Sequence, residues 1–434
     1  MVRISYSSDI GSVSDEPTAD PLKQMSGLSH MLNFDVVVKP PINTNSVKTF
    51  DPETIIQDAR NTRIVVHARF PSLVQNFLQH KRRYGSRAEK VLYRSSADFT
   101  WQDEVARLIS KRPLTFMGAT DYTLLRDGTR LGGDNTELWD RNGTDRQHSS
   151  DPLSLDDYLS YDEIMLGSLM GVSGPSYFIN NGNRFNRGIP GEKGAYEPRG
   201  IIIGLVGARF EREGRMDSVY VLKTAEQPRQ HPELVQAFQE LFGAEKDTDA
   251  AFDVRMYQAR MRITADVFLL EANDRARVAG RKAHAYVVGL GLGVWQYCGH
   301  ASQAAEYVDT FSSAIMDLNL PCIRTLEFSW ITVPETCRMR VAAEANKQGI
   351  KVVFSKRNPA AKLDTDELLV LSYAWDGNAF PGNEYWDGSL TGSGDPAAAC
   401  MSTIGELHNP LINPGFLKRI KILRAGDAPG VEPQ

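Results

Sequence analysis

The 434 residues carry 49 Lys plus Arg against 54 Asp plus Glu, a formal net charge of -5, with 41% hydrophobic and 24% charged residues. That balance belongs to a globular chain with a sizeable core and offers no basic surface for nucleic acid. No stretch approaches the roughly 20 consecutive apolar residues that span a bilayer, and no apolar signal core opens the chain, so a cytoplasmic protein without a membrane partner is expected.

Residues 1–33 are rich in Ser, Asp and Gly, the composition of a disordered leader, and residues 425–434 look the same, as a flexible tail. Between them, 34–424 has the length of two to three average domains or of one elaborated domain with an N-terminal extension. Asp35–Val38 and Ile64–His67 are strand-like, and Trp101–Ile109 has the apolar spacing of a short helix. The basic run His80, Lys81, Arg82, Arg83 reads as a solvated face. Residues 118–150 are polar and turn-rich, a long loop or insertion. In GVSGPSYFINNGNRFNRG, Phe178, Asn180 and Asn183 crowd between glycines. A ring that stacks and amides that both donate and accept suit a purine nucleoside; asparagines that merely cap their own turns fit as well, and composition leans to the second.

Ile201–Gly207 and Val219–Leu222 read as strands and Pro232–Phe242 as an amphipathic helix. Five further apolar runs come after them: Asp266–Leu270, Ala285–Val288, Ile323–Trp330, Ile350–Phe354 and Leu368–Tyr373. Helical patterns over Ser302–Leu318 and Val341–Gln348 separate some of them. Strands alternating with helices predict an α/β fold, a mixed, mostly parallel sheet flanked by helices.

Such sheets bind ligands beyond the carboxyl ends of their strands, so the residues just past each run are the candidates. They are Glu271–Asp274, the alternation Gly289, Gly291, Gly293 leading to Val294 and Trp295, then Ser355–Asn358, and Trp375–Asp376. The glycines are spaced G-x-G-x-G, which departs from the dinucleotide fingerprint G-x-G-x-x-G. They suit a phosphate cradle or the close packing of a strand end. The stretch 374–396 sets Asp376, Glu384, Asp387 and Asp395 among glycines, with Trp375, Phe380, Tyr385 and Trp386 interleaved. Buried aromatics would dry the carboxylates and prepare one as an acid or base, as cleavage of a glycosidic bond at a ribose requires. A Mg²⁺ site and an aromatic-pinned structural loop are the other readings. The four cysteines stand apart with no C-x-x-C, and no H-E-x-x-H pair occurs, so no zinc site is expected.

ITADVFLLEAN, residues 263–273, resembles the asparagine-ended strand of macrodomains, and GLGLGVW resembles their phosphate loop. With GVSGPSYFINNGNRFNRG, AWDGN, GNEYW and SGDPAAA, the set is similar to the MavL-type atypical macrodomains, represented by a Legionella effector and its eukaryotic relatives, over about residues 155–410. Those proteins remove ADP-ribose from arginine. The resemblance implies a macrodomain-like core in which Asn273 contacts a ribose, Asp266 meets the adenine edge, and Gly289 to Trp295 wrap the pyrophosphate. Asp376, Glu384 and Asp395 would surround the scissile bond, with Glu384 and Asp395 foremost. It implies ADP-ribose as ligand, no required cofactor, and an ADP-ribosylated protein such as ubiquitin as partner of a monomer. A non-catalytic ADP-ribose reader is the alternative.

Overall fold

The computed structural model describes residues 27–40, 46–94, 99–117, 122–132, 136–223, 229–388, 396–401 and 403–426. Asp51 caps α1 (Pro52–Asn61), and β1 (Arg63–His67) comes at once after it. Next are α2 (Phe70–Tyr84) and α3 (Trp101–Ser110), the latter opened by a reciprocal capping box between Thr100 and Asp103. Part of the expected insertion folds as a small antiparallel sheet of β2 (Thr115–Met117), β3 (Tyr122–Leu124) and β4 (Arg130–Leu131). Then α4 (Tyr161–Gly167) leads into β5 (Met170–Tyr177) and β6 (Arg199–Leu205). Two helices, α5 (Pro232–Phe242) and α6 (Val254–Val278), precede β7 (Ala283–Val287). The remainder alternates: α7 (Gln303–Asp317), β8 (Ile323–Ser329), α8 (Glu335–Asn346), β9 (Lys351–Ser355), β10 (Leu368–Ala374), α9 (Asn383–Asp387) and β11 (Ile420–Leu423).

The main sheet has eight strands in the order β11-β1-β5-β6-β10-β7-β8-β9, and β5 alone runs against the rest. The expected mixed, mostly parallel α/β sheet is therefore present. β10, the last of its half to be made, is inserted between β6 and β7. Each face has its own cover. Ser173 on one face meets Arg275 of α6, while its neighbour Gly174 on the other face lies against His408, and Ser176 donates to Thr403 there. The return segment after β10 thus crosses the face opposite α6.

The run DVFLL is not a strand. It lies inside α6, where Met256, Tyr257, Met261, Phe268, Leu269, Ala272 and Ala276 are all buried. A helix buried over most of its circumference shows the same continuous apolar run as a buried strand, and only its 25-residue length separates the two. An ion cluster fixes its far end: Glu271 receives Arg63 Nη2 at 2.7 Å and Arg275 Nε at 2.7 Å. Burial would raise the Glu271 carboxyl, but the two guanidinium groups override it and pull it down to about 2.

Other expectations also yield to tertiary context. Ser218–Val221 is a short helix rather than a strand, and Asp35–Val38 pairs with no strand among the described residues. Lys81 in the basic run is buried against Glu89 and Asp162, each at 2.6 Å, instead of solvated. Of the expected leader, residues 1–26 lie outside the described residues, while 27–31 are helical and bury Leu28. Leu28, Leu32, Val36 and Val47 join Phe380, Tyr385, Trp386 and Leu407 in a second apolar cluster. Glu406 clamps it, Oε1 accepting from Ser46 Oγ at 2.8 Å and Oε2 from the Val47 amide at 2.5 Å. No helix among the described residues is long and apolar enough to cross a membrane.

Candidate active site

Three neighbouring strands, β6, β10 and β7, end at one edge of the sheet, and each hands the chain to a loop of glycine and polar residues. The loops after β6 and β7 interlock. A Cβ on Gly207 would lie 2.3 Å from the Leu290 carbonyl carbon, and one on Gly291, whose φ is +77°, would lie 2.6 Å from the Ala208 oxygen. Only glycine permits that approach. Gly291 therefore serves close packing, whereas Gly293 has open space where a side chain would be, and Val294 is 93% exposed. The tip is free to meet a ligand.

Arg209, four residues past the end of β6, ties the three loops together. Its Nη1 donates to the Asp376 carbonyl at 2.6 Å and to Asn378 Oδ1 at 2.5 Å. Its Nη2 pairs with Glu211, and the guanidinium lies 4.6 Å from the centre of the Trp295 ring. Burial works against this charge, but Glu211 and Asp376 outweigh it and hold the proton more tightly than usual. The Arg209 amide donates to Asp217 at 2.9 Å, and Asp217 takes Arg260 Nε from α6 at 2.9 Å, which anchors the loop to the helix below.

Asp376 is buried, and its Oδ1 accepts from the amides of Asn378 at 2.8 Å and Ala379 at 3.1 Å. Beneath it the Arg112 guanidinium lies 4.4 Å from the Trp375 ring centre and donates to the Gly377 carbonyl. Burial pushes Arg112 down to about 9, with Asp376 acting against the fall. Trp375, Phe380, Tyr385 and Trp386 are all buried, the last three in the second apolar cluster, an arrangement that suits a dry acidic site and an aromatic-pinned structural loop alike. The chain then forms α9, which docks on the small sheet: Asn383 Oδ1 accepts from the Phe116 amide at 3.0 Å. Glu384 belongs to α9, but its side chain, like the whole of Asp395, lies outside the described residues.

The edge thus brings together Gly289, Gly291, Gly293, Val294, Trp295 and Asp376. Asn273, toward the far end of α6, is not part of it, whereas Asp266, earlier on α6, lies against the last residue of β1, which ends at the same edge of the sheet. Asp266 is held by Arg262 at 2.5 Å and faces His67, and Asn273 Oδ1 accepts from the Cys322 amide at 2.8 Å, at the beginning of β8 rather than its end. Nor does it include Phe178, Asn180 and Asn183. Tyr177 pairs with Arg199, the first residue of β6, so their loop lies at the opposite edge. There Asn180 Oδ1 accepts from the Gly182 amide at 2.8 Å and Asn183 Oδ1 from the Phe185 amide at 2.9 Å, each asparagine capping its own turn. Arg209, Asn378 and Arg112 were not among the sequence candidates. Inspecting the residues just past a strand end, for Ile201–Gly207 as for the later runs, would have found Arg209.

The chain matches the family described as "ADP-ribosylhydrolase MavL-like" over residues 33–235 and 230–428. It is 36% identical over 395 residues to the ADP-ribosylarginine hydrolase CG3568 of Drosophila melanogaster, a match covering 81% of this chain and 76% of the relative. It is 31% identical over 445 residues to the ADP-ribosylarginine hydrolase CG2909 of the same species, covering 91% of this chain and 86% of that relative.

Proposed function

The chain belongs to the MavL-like ADP-ribosylhydrolase family, and from that premise we propose that it hydrolyses the N-glycosidic bond joining ADP-ribose to an arginine side chain of a modified protein. One observation supports the assignment to this edge of the sheet: a glycine loop with an open tip and a buried carboxylate stand on the adjacent strands β7 and β10, joined by Arg209. Amides at the tip, Gly293 to Trp295, receive the diphosphate. The distal ribose then lies toward β10, where Asp376, Glu384 and Asp395 are the acids we assign to the scissile bond. As the C1–N bond breaks, the ribose takes on oxocarbenium character, which a carboxylate in a dry wall stabilises. Water delivers hydroxide to C1 and its proton to the departing guanidine, so ADP-ribose and unmodified arginine are the products. Glu384 or Asp395 orients that water.

The test is to incubate the full chain with proteins ADP-ribosylated on arginine, glutamate or serine and to follow ADP-ribose release. Arginine-modified ubiquitin is the first substrate to try, with a cytoplasmic monomer as the working form. Release from arginine alone is expected. Glu384→Ala and Asp395→Ala should each abolish release while free ADP-ribose still binds. Binding without turnover in the unaltered chain would make it a reader, and full activity in both variants would remove those acids from the mechanism.

A further inference from the structure

Two guanidinium groups act on Asp376, and only one of them has a carboxylate of its own. Arg209 is paired with Glu211, so together they carry no net charge. Arg112, two residues past α3, is fully buried and forms no ion pair among the described residues. Burying a charge without a partner is costly, so what holds it there matters.

Its contacts grip the acidic stretch on either side of Asp376. Nη1 donates to the Gly377 carbonyl, and the guanidinium lies 4.4 Å from the centre of the Trp375 ring. Nε donates at 2.5 Å to the Leu108 carbonyl in the last turn of α3, where unpaired helix carbonyls favour a cation. The next residue adds a second tie, the Pro113 carbonyl accepting from the Phe380 amide at 2.9 Å. Gly167 of α4 makes the room, because a Cβ there would lie 2.6 Å from Nη2. Nη2 itself is buried and makes no hydrogen bond among the described residues. A helix end, an indole face and a turn carbonyl thus fix the guanidinium and leave its charge unpaired.

Asp376 has a use for such a charge. It is buried, and the acids we assign beside it, Glu384 and Asp395, carry the same sign; both circumstances favour the protonated form. Against them stand Arg112 from beyond α3 and Arg209 from the loop after β6, while Tyr373 of β10, its phenol pushed far up by burial, stays neutral. We propose that Arg112 is a positioning residue for the hydrolysis: it fixes the turn that presents Asp376 and supplies the unpaired positive charge against which that side chain stays a carboxylate. This rests on the reading of the edge as a hydrolase site, where an oxocarbenium-like ribose gains from an ionised neighbour and little from a protonated one.

The pH profile of ADP-ribose release from an arginine-modified protein tests it. In Arg112→Gln the acid limb of kcat should move up by about one pH unit, so activity at about pH 5 falls roughly tenfold further than at about pH 8. Arg112→Lys keeps the charge and should return the limb to its place. An unshifted limb, a uniform loss at every pH, or an equal shift in Arg112→Lys would overturn the proposal. Urea unfolding reads the same charge without turnover. Arg112→Gln should raise the unfolding constant about tenfold more at about pH 7.5 than at about pH 5, because a carboxyl raised in the folded state stabilises at low pH and loses that contribution as pH rises. Both conditions lie below about 9, where Arg112 itself gives up its proton. Arg112→Met, which keeps the apolar stem, gives the same comparison if the Gln variant does not fold. The difference should vanish in an Asp376→Asn background, and its persistence there would overturn the proposal. A chain that shows the difference but releases no ADP-ribose would sink the hydrolase reading alone, and an active chain without it would sink only the role of Arg112.

Discussion

Replacing Arg209 by Met removes the cation that joins the three loops while keeping most of its volume. The Arg209 and Glu211 side chains are 3% and 8% exposed, so the variant leaves a buried carboxylate without its guanidinium. Removing one partner of a buried pair costs about 3–5 kcal/mol, because the remaining charge is uncompensated. The Asp376 carbonyl and Asn378 Oδ1 lose the same donor, so the expected loss sits at the upper end of that range. Urea unfolding of Arg209→Met, Glu211→Gln and the double variant measures it, and the double variant should regain a large part of the loss. Activity should fall further than stability explains, on the order of 100-fold in kcat/KM where both proteins are folded, because the glycine tip and the acid lose their common tie. A loss below about 1 kcal/mol, or a double variant no more stable than Arg209→Met, would refute the view that Arg209 organises the site.

Gly291→Ala should weaken ADP-ribose binding about tenfold, since positive φ costs a side chain about 1–2 kcal/mol and its Cβ would press on the Ala208 oxygen; Gly293→Ala, with open surroundings, should melt like the unaltered chain. Equal ADP-ribose affinity in Gly291→Ala would break the link between loop packing and binding. Glu406 gives a pH signature. Burial pushes its carboxyl up from 4.5 to about 7, so its favourable contribution to stability is whole below about pH 4.5 and is lost as pH rises through about 7. The fall is roughly 3 kcal/mol in all. In Glu406→Gln the urea midpoint should lose this slope, and an unchanged slope would assign it to another group.

The strands of the β7-to-β10 half were legible because β-branched runs bounded by turns occur there with little else to imitate them. Pro232–Phe242 was legible from its one-sided apolar spacing and its proline at the first turn. α6 was not, because burial around most of its surface erases the periodicity that separates helix from strand. The asparagines of the 178–188 loop have donors and acceptors enough for a ligand, but local backbone amides reach them first. Asp376 could be read from its position after a strand. Arg209 could have been, had IIIGLVG been treated as a parallel strand like the others.

The route of the return segment has a consequence for biosynthesis. It leaves the acidic loop after β10, packs Leu407 and Ile412 with Leu28, Leu32 and Val47 in the second apolar cluster, and ends in β11, which pairs with β1. Contacts between the first and last parts of the described chain are therefore prerequisites for burying the aromatics of the acidic stretch. Pairings so distant in sequence form late. A nascent chain would carry its glycine loop and Arg209 long before it could bury Phe380, Tyr385 and Trp386, so the finished fold would arrive only once β11 had left the ribosome.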